Sequence, residues 1–400
     1  MARIRPLRPN GQDNNPNPQN PLLDNEDLAM LENDERLAQL ENRLTRLYSD
    51  SANELTRQLN EYMEQYEAQY NEMRASLARG EITQQEYERW ARNRFLRTRQ
   101  MQQQIESLTN DMVRADELAV QMVNGELPDV YVSSFNYSGF RGEVLADAAG
   151  YDYANFTLYN ADAMRIIMAE DPDLIPWEEP SVDIPRDMRW NRQHIQNAVA
   201  QGILQGDGIR EISNRLLPIV NMDRNAATRT ARTAFTAVQN EARRDATRRL
   251  RDAGIPMVEP WMSVLRSNTR DTHLMLHGTY PNQDGLYGEG IIFSGNLLRF
   301  PGDPHGDPEQ IYNCQCRVQS FIEGIDHSRD RELYAEMMQR EHYEDWTGER
   351  SDGSVVNGVR DYRVEEMREA LERQRELRSG ERENRENRYR RRRQERERNR

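Results

Sequence analysis

Lysine is absent from the 400-residue sequence, so all 54 of its basic residues are arginines. A guanidinium group keeps its charge and pairs with carboxylates and phosphates through two parallel hydrogen bonds. Acidic residues outnumber the arginines, and the formal net charge is −14. This acidity argues against a protein that coats nucleic acid over its whole surface, although it permits a local basic contact.

Long apolar runs are also missing: hydrophobic residues make up 36% of the chain, and the mean hydropathy is −0.99. No stretch of about 18 apolar residues occurs, as a membrane-spanning helix would require. The first residues, MARIRPLRPNGQ, contain no apolar segment of the signal-peptide type. We therefore expect a protein without a membrane span, made in a reducing cytoplasm, with much of its length in solvated helices, linkers or tails.

The N-terminal third of the chain carries a helical pattern. Residues 1–22 are rich in Pro, Asn and Arg, which predicts a disordered arm. A stripe of apolar residues at helical spacing follows, and a capping box at Thr83 and Glu86 marks the start of a second helix. The pattern predicts a long antiparallel hairpin of two helices over residues 23–127, with the second helix ending near Gly125. We interpret this hairpin as a stalk or packing element.

The rest of the chain divides into a connector, a central region and a C-terminal segment. Residues 128–186 are aromatic and Pro-rich, which predicts an irregular connector. Helical patterns follow over 187–254, and a compact module of short strands and loops is expected over 255–324. Residues 325–378 again show helical patterns, and residues 379–400 are an Arg/Glu-rich tail. The predicted fold class is therefore mainly α with a small α+β module.

Both cysteines and half of the six histidines lie in the 255–324 module. The candidate metal ligands are His273, His277, His305, Cys314 and Cys316. Thiolate and imidazole are the ligands that zinc prefers, and a structural zinc site is closed by four of them. A C-x-C pair is a weaker signal than two C-x-x-C pairs, so hydrogen-bonded or packed structural roles are the alternative. The metal hypothesis takes Cys314, Cys316 and His273, with His277 or His305 as the fourth ligand.

Signatures of common enzyme classes are absent from the sequence. It has no G-x-x-x-x-G-K-[ST] phosphate loop, no G-x-S-x-G elbow and no H-E-x-x-H helix. The segment PGDPHGDP, with Asp303, His305 and Asp307, is compatible with a metal-dependent nuclease or hydrolase. Asp-Pro and Gly-Asp steps are more typical of turns. We therefore expect that the protein is not an enzyme.

The C-terminal tail is the strongest basic feature. Residues 381–400 contain ten arginines and five glutamates, a local charge of +5. Four of the arginines are consecutive: Arg390, Arg391, Arg392 and Arg393. Such runs repel themselves, stay extended and often contact nucleic acid, whereas the alternative is a solvated helix with Glu–Arg pairs. Salt-dependent DNA binding that is lost on deleting 381–400 would indicate a DNA-binding accessory protein.

A series of motifs lies in order between Trp190 and Gln319. They are WNRQHIQNAVAQGILQGDGIREISNRL, RNAATRTARTAFTAVQNEAR, Trp261, SNTRDTHLMLHG, PGDP and IYNCQC. This series resembles the head-morphogenesis domain of the phage Mu protein F family. Three residues depart from the family pattern: Asn268 and His277 stand where Asp is usual, and Ala234 replaces a frequent Glu.

The resemblance assigns residues 187–324 to a Mu F-like domain and implies a minor head protein of a tailed bacteriophage. Such a protein is expected inside the capsid near the portal, after assembly in the host cytoplasm. Its expected partners are the portal protein, other head proteins and phage DNA, in head assembly, DNA packaging or ejection. Some relatives carry a C-x-x-C pair near the positions of Arg270 and His273, which makes a structural zinc site natural there. Arg270 cannot ligate, so His277 or His305 would have to substitute.

Overall fold

A computed structural model describes residues 27–153, 156–174, 177–292, 297–324, 339–347 and 367–380. Within these residues the chain is mainly helical, with short strands in two small sheets, and the predicted fold class is confirmed. No helix of the described ranges is long and apolar enough to cross a membrane. The predicted arm over 1–22 and the tail arginines 390–393 lie outside the described residues, as does most of the predicted helical segment 325–378.

The helices and strands have the following bounds. The helices are α1 (Leu28–Glu64), α2 (Glu67–Ala78), α3 (Gln84–Ala91), α4 (Arg99–Ala148), α5 (Ala161–Glu170), α6 (Ile184–Gln205), α7 (Ile209–Asn214), α8 (Leu217–Asp252), α9 (Asp271–Leu276), α10 (Pro308–Ile311) and α11 (Arg340–Thr347). A π-helical turn spans Arg92–Leu96, a 3₁₀ turn spans Pro172–Leu174, and residues 367–380 are helical. The strands are β1 (Met257–Val258), β2 (Trp261–Met262), β3 (Arg317–Val318) and β4 (Phe321–Ile322).

Helices α1 and α4 run antiparallel, as the hairpin pattern predicts. Tyr48 donates to the Asp116 carboxylate over 2.7 Å, and Gln58 donates to Asp111 over 2.8 Å. The first arm of the hairpin is divided into α1 and α2, and the second begins with α3. Thr83 caps α3 through the predicted capping box with Glu86, which satisfies two backbone N–H groups at the helix start.

Helix α4 is longer than predicted. It does not end at Gly125 but continues through Pro128 to Ala148, so the prediction of an irregular connector is wrong for residues 128–148. A Pro inside a helix costs about 3 kcal/mol, and burial of the aromatic side chains beyond it outweighs that cost. The glycines of this stretch are packing sites, because a Cβ on Gly139 would overlap the Phe156 ring and one on Gly142 would overlap Leu250.

The chain divides into two compact units. One unit comprises Ala38–Gly125 and Pro180–Ala231; the other contains the described residues of Met1–Leu37, Glu126–Glu179 and Arg232–Arg400. In the second unit, aromatic side chains of α4 form the core, with the Phe135 and Tyr159 rings stacked at 4.0 Å. The part of helix α8 from Arg232 onward belongs to this unit.

The module after α8 is held by two pairs of strands. Strand β1 pairs antiparallel with β4, matching Met257 with Ile322, and β2 pairs with β3, matching Trp261 with Val318. Its buried core consists of Trp261, Leu276, Tyr287, Ile292, Leu298, Phe300, Ile311, Cys314, Cys316 and Val318. The module therefore has a hydrophobic core of its own, and both cysteines belong to it.

Candidate metal centre

Helix α8 positions the two cysteines through their backbone carbonyls. The Thr236 hydroxyl donates to the carbonyl oxygen of Cys314, and the Asn240 amide donates to that of Cys316 over 3.0 Å. Asn240 also accepts from the Val318 N–H over 2.8 Å. These polar groups are buried, so each would cost free energy if it were left without a partner. Two side chains one helical turn apart thus fix the C-x-C segment against the helix.

Three local features orient the cysteine segment and His273. Asn313 has a φ of 53°, the left-handed conformation that Asn tolerates better than most residues, immediately before Cys314. His273 lies in α9, where the Ser263 hydroxyl donates to its carbonyl oxygen. The ring of Trp261 meets the His273 imidazole edge-on, with 5.3 Å between the ring centroids. The imidazole is thereby buried and oriented.

The three side chains His273, Cys314 and Cys316 form a compact cluster. Their ligand atoms all lie within 4.8 Å of one another. The His273 Nδ1 atom is 3.6 Å from the Cys314 sulfur and 3.4 Å from the Cys316 sulfur. A tetrahedral zinc ion with ordinary bond lengths separates a nitrogen and a sulfur ligand by about 3.6 Å. The donor set and its spacing therefore fit zinc, while the same distances also suit hydrogen bonds to sulfur.

The pKa values of the two thiols are shifted in opposite directions. A hydrogen bond from Cys314, reinforced by His273, lowers the pKa of Cys316 to about 4, although burial acts the other way. The same hydrogen bond, together with burial, raises the pKa of Cys314 above its usual range. Cys316 is therefore the more readily deprotonated of the two, and the thiolate is the form that binds metal.

Two predicted ligands lie away from this cluster. His277 immediately follows α9 and is half-buried, and its Nδ1 accepts from the Ser263 N–H over 3.1 Å. Burial lowers the pKa of its imidazole, although the Cys316 thiolate opposes this shift. The His305 side chain is 65% exposed, and its Nδ1 lies 3.5 Å from Asp303. The structure brings together three of the five predicted ligands, and neither remaining histidine completes the set.

The PGDPHGDP segment forms a turn around Asp303. This carboxylate is buried, forms an ion pair with Arg299 and accepts from the His305 N–H over 3.1 Å. Burial alone would raise the pKa of Asp303, but the hydrogen bonds and charge of Arg299, together with the His305 N–H, lower it. Asp307 follows in the chain and precedes α10. Asp303 and His305 are thus engaged in the turn, as the turn interpretation of this segment predicts.

A cavity of about 280 Å³ lies beside the cluster. Its lining consists of Arg232, Val264, Arg266, Asn268, Thr269, Arg270, His273, Asn313, Cys314, Gln315 and Cys316. All three clustered side chains belong to this lining, so a ligand in the cavity would lie next to a metal that they hold.

Sequence reasoning missed the residues that hold the centre in place. Thr236 and Asn240 lie in the helical motif RNAATRTARTAFTAVQNEAR, where they are two polar residues at i and i+4 in a buried stretch. That spacing places both on one helix face. Two polar residues at this spacing among alanines were the signal that the sequence offered. Their carbonyl partners lie about 80 residues away along the chain.

Comparison with known proteins finds one family and one relative. Residues 193–319 match the model of the family described as Phage Mu protein F like protein. The chain is 23% identical over 295 residues to "Minor head protein GP7" of Bacillus phage SPP1, an alignment that covers 73% of this chain and 85% of that protein. No solved structure matches the chain. These findings confirm the resemblance inferred from the motifs: the chain carries a Mu protein F-like domain and is similar to phage minor head proteins.

Proposed function

We propose that this protein is a minor head protein that acts in the morphogenesis of a phage head. The proposal rests on one observation: the residues that match the family include the part of α8 that holds the cysteine segment. The matched residues 193–319 include the part of α8 from which Thr236 and Asn240 hold the cysteine segment. The alignment with the SPP1 minor head protein extends well beyond this region and covers 85% of that relative.

We place the protein inside the head near the portal, with the portal protein and other head proteins as partners, and assign it to head assembly, DNA packaging or ejection. Cross-linking of assembled heads followed by mass spectrometry tests this placement. We expect cross-links between this chain and the portal protein. Heads that contain the protein but yield cross-links to the shell alone would contradict the portal contact, and purified heads without the protein would contradict the head-protein role.

We further propose that His273, Cys314 and Cys316 hold one zinc ion that stabilises the module. Such an ion would contribute to folding, because its ligands are brought together only in the folded state. The module already has a hydrophobic core around Trp261, so the metal would add stability to a packed structure. Hydrogen-bonded packing of the same three side chains is the alternative, and metal analysis separates the two.

The open fourth position also suits a catalytic zinc, which keeps three protein ligands and a water. A zinc hydrolase additionally needs a general base within reach of that water. The described residues that line the cavity include no carboxylate and no histidine other than His273 itself. We therefore propose ligand binding and structural stabilisation at this centre in preference to hydrolysis.

A further inference from the structure

The charged residues that line the cavity beside the metal centre are all basic. Arg232, Arg266 and Arg270 line it together with three side-chain amides and the Thr269 hydroxyl, and its described lining contains no Asp or Glu. This composition is unusual in a chain in which acidic residues outnumber basic ones. Guanidinium groups, amides and a hydroxyl can all donate hydrogen bonds, so the lining is suited to an anion.

Two of the arginines are held in position by uncharged partners. Arg266 donates to the side-chain oxygen of Gln315 over 2.8 Å, and Arg270 donates to the backbone carbonyl of Tyr312. A carbonyl oxygen orients a guanidinium group without cancelling its charge, and the remaining N–H groups stay available as donors. Asp34, a carboxylate outside the lining, is near enough to attract Arg266, but burial raises its pKa in spite of that attraction. The described lining, with three guanidinium groups and no carboxylate, carries a net positive charge.

We propose that this cavity is an oxyanion site of the phosphate class, in which Arg266 and Arg270 hold an anion that supplies the fourth ligand of the metal at His273, Cys314 and Cys316. The inference rests on the metal site proposed above and names its missing ligand. A cavity of about 280 Å³ lies at the small end of ligand pockets, which typically measure about 300–1,000 Å³. It therefore suits a small oxyanion better than a large organic ligand.

The charge balance supports an anion as the fourth ligand. Two thiolates would neutralise a zinc ion, and the arginines would then leave the cavity with an excess of positive charge. Arginine–phosphate hydrogen bonds are charge-assisted and frequently bidentate. A tetrahedral oxyanion can accept from both guanidinium groups and still direct one oxygen to the metal. A planar carboxylate has only two oxygens for the same partners.

Cobalt substitution of the full-length chain tests the proposal, because thiolate-bound Co²⁺ absorbs visible and near-ultraviolet light. The thiolate charge-transfer band reports the metal centre, and the d–d bands report the fourth ligand. We expect titration with inorganic phosphate to shift the d–d bands at constant thiolate absorbance, and acetate to do so only at much higher concentration. A second titration with glycerol 3-phosphate distinguishes a free ion from a phosphomonoester as the preferred form.

An R266Q/R270Q double variant is expected to bind phosphate at least about tenfold more weakly while it keeps the thiolate band, since each lost charged hydrogen bond contributes roughly that factor. The matched control is R189Q/R210Q, which removes two charges at exposed positions that are not part of the cavity lining and should bind phosphate like the parent. Circular dichroism verifies that both variants are folded.

The outcomes are separable. Co²⁺ binding with a thiolate band but without any phosphate-induced shift would overturn the oxyanion proposal and leave the metal site standing. A phosphate shift that is equally strong in R266Q/R270Q would also overturn the assignment to this cavity. Absence of the thiolate band would overturn the metal site itself, and the fourth-ligand proposal with it.

Discussion

The side-chain amide of Asn240 donates to the backbone carbonyl of Cys316 over 3.0 Å and to that of Pro301 over 2.9 Å. Its oxygen accepts from the Val318 N–H. One buried side chain of α8 thus joins two separate loops of the module and a strand. Since buried polar groups are costly when unpaired, this residue couples the geometry of the metal centre to the long helix.

Replacement of Asn240 tests this coupling. An Asn240→Leu variant keeps a similar volume but leaves two carbonyls and one N–H without their partner. We expect the free energy of unfolding in urea to fall by about 3 kcal/mol and zinc affinity to fall about tenfold, as is typical when an outer residue that orients ligands is lost. Asn225→Leu, at an exposed position of the same helix, is the control. Equal effects of the two substitutions would contradict the role of Asn240.

Metal content tests the centre directly. Elemental analysis of the purified chain should give about one zinc per molecule, and a Cys314→Ser/Cys316→Ser variant should have lost it. Chelation should accelerate hydrogen exchange in residues 255–324 and leave the α1–α4 hairpin protected, because the metal stabilises only the module that contains its ligands.

His305→Gln is the matched control for metal loss, because this exposed histidine lies outside the cluster and should be dispensable for zinc. Failure of added zinc to bind, together with an equally protected module in its absence, would show that the three side chains have a hydrogen-bonded packing role. The similarity to phage head proteins would be unaffected, since it depends on the order of motifs along the chain.

A buried ion pair should make the free energy of unfolding depend on pH in the acidic range. Asp27 lies 2.7 Å from Arg243, and both side chains are 2% exposed. Burial alone would raise the pKa of Asp27, but Arg243 and Arg317 outweigh it and lower this pKa to about 2. A folded-state pKa below the unfolded value of 3.8 stabilises the protein above about pH 4, and this contribution is lost as the pH falls toward 2.

An Asp27→Asn variant should therefore be less stable than the parent at pH 7, by about 3–5 kcal/mol, because Arg243 is left buried without its counter-charge. The difference should shrink as the pH falls from 4 toward 2. Urea unfolding across this range measures it, with Asp50→Asn at an exposed position of α1 as the control. A difference that is independent of pH would exclude the ion pair as its cause.

The apolar stripe of the hairpin can be tested by a single charge. Leu44 is fully buried, whereas Leu31 in the same helix is 50% exposed. We expect Leu44→Asp to lower the free energy of unfolding by at least about 3 kcal/mol, since it removes apolar contacts and buries an unpaired carboxylate. Leu31→Asp should have little effect. Thermal unfolding followed by circular dichroism makes the comparison, and two similar melting curves would contradict the predicted packing.

The C-terminal tail carries the proposed DNA contact. Deletion of residues 381–400, or replacement of Arg390–Arg393 by Gln, should weaken DNA binding and flatten its dependence on salt, because fewer phosphates are neutralised. Circular dichroism should be unchanged, since the tail is polar. Equal affinity at low salt with and without the tail would reject the DNA role.

Local signals in the sequence predicted where helices are present and where α3 begins, but not where α4 ends. The capping box at Thr83, which is present in the structure, depends on neighbouring residues alone. The sequence did not show that α4 continues past Gly125 through Gly139 and Gly142, because it shows only the local preferences of these residues. Their role follows from Phe156 and Leu250, which approach α4 from other parts of the fold.

The sequence by itself determined the mainly helical class, the order of the Mu F-like motifs and the residue types available for a metal. Helical periodicity and ligand chemistry are local properties, so one chain suffices to identify them. Only the tertiary structure decided which candidate ligands meet. It brings His273 to Cys314 and Cys316 and leaves His305 in the PGDPHGDP turn. It also places three arginines in the lining of the cavity. These choices depend on contacts between residues about 40 or more positions apart, for which spacing along the chain carries no information.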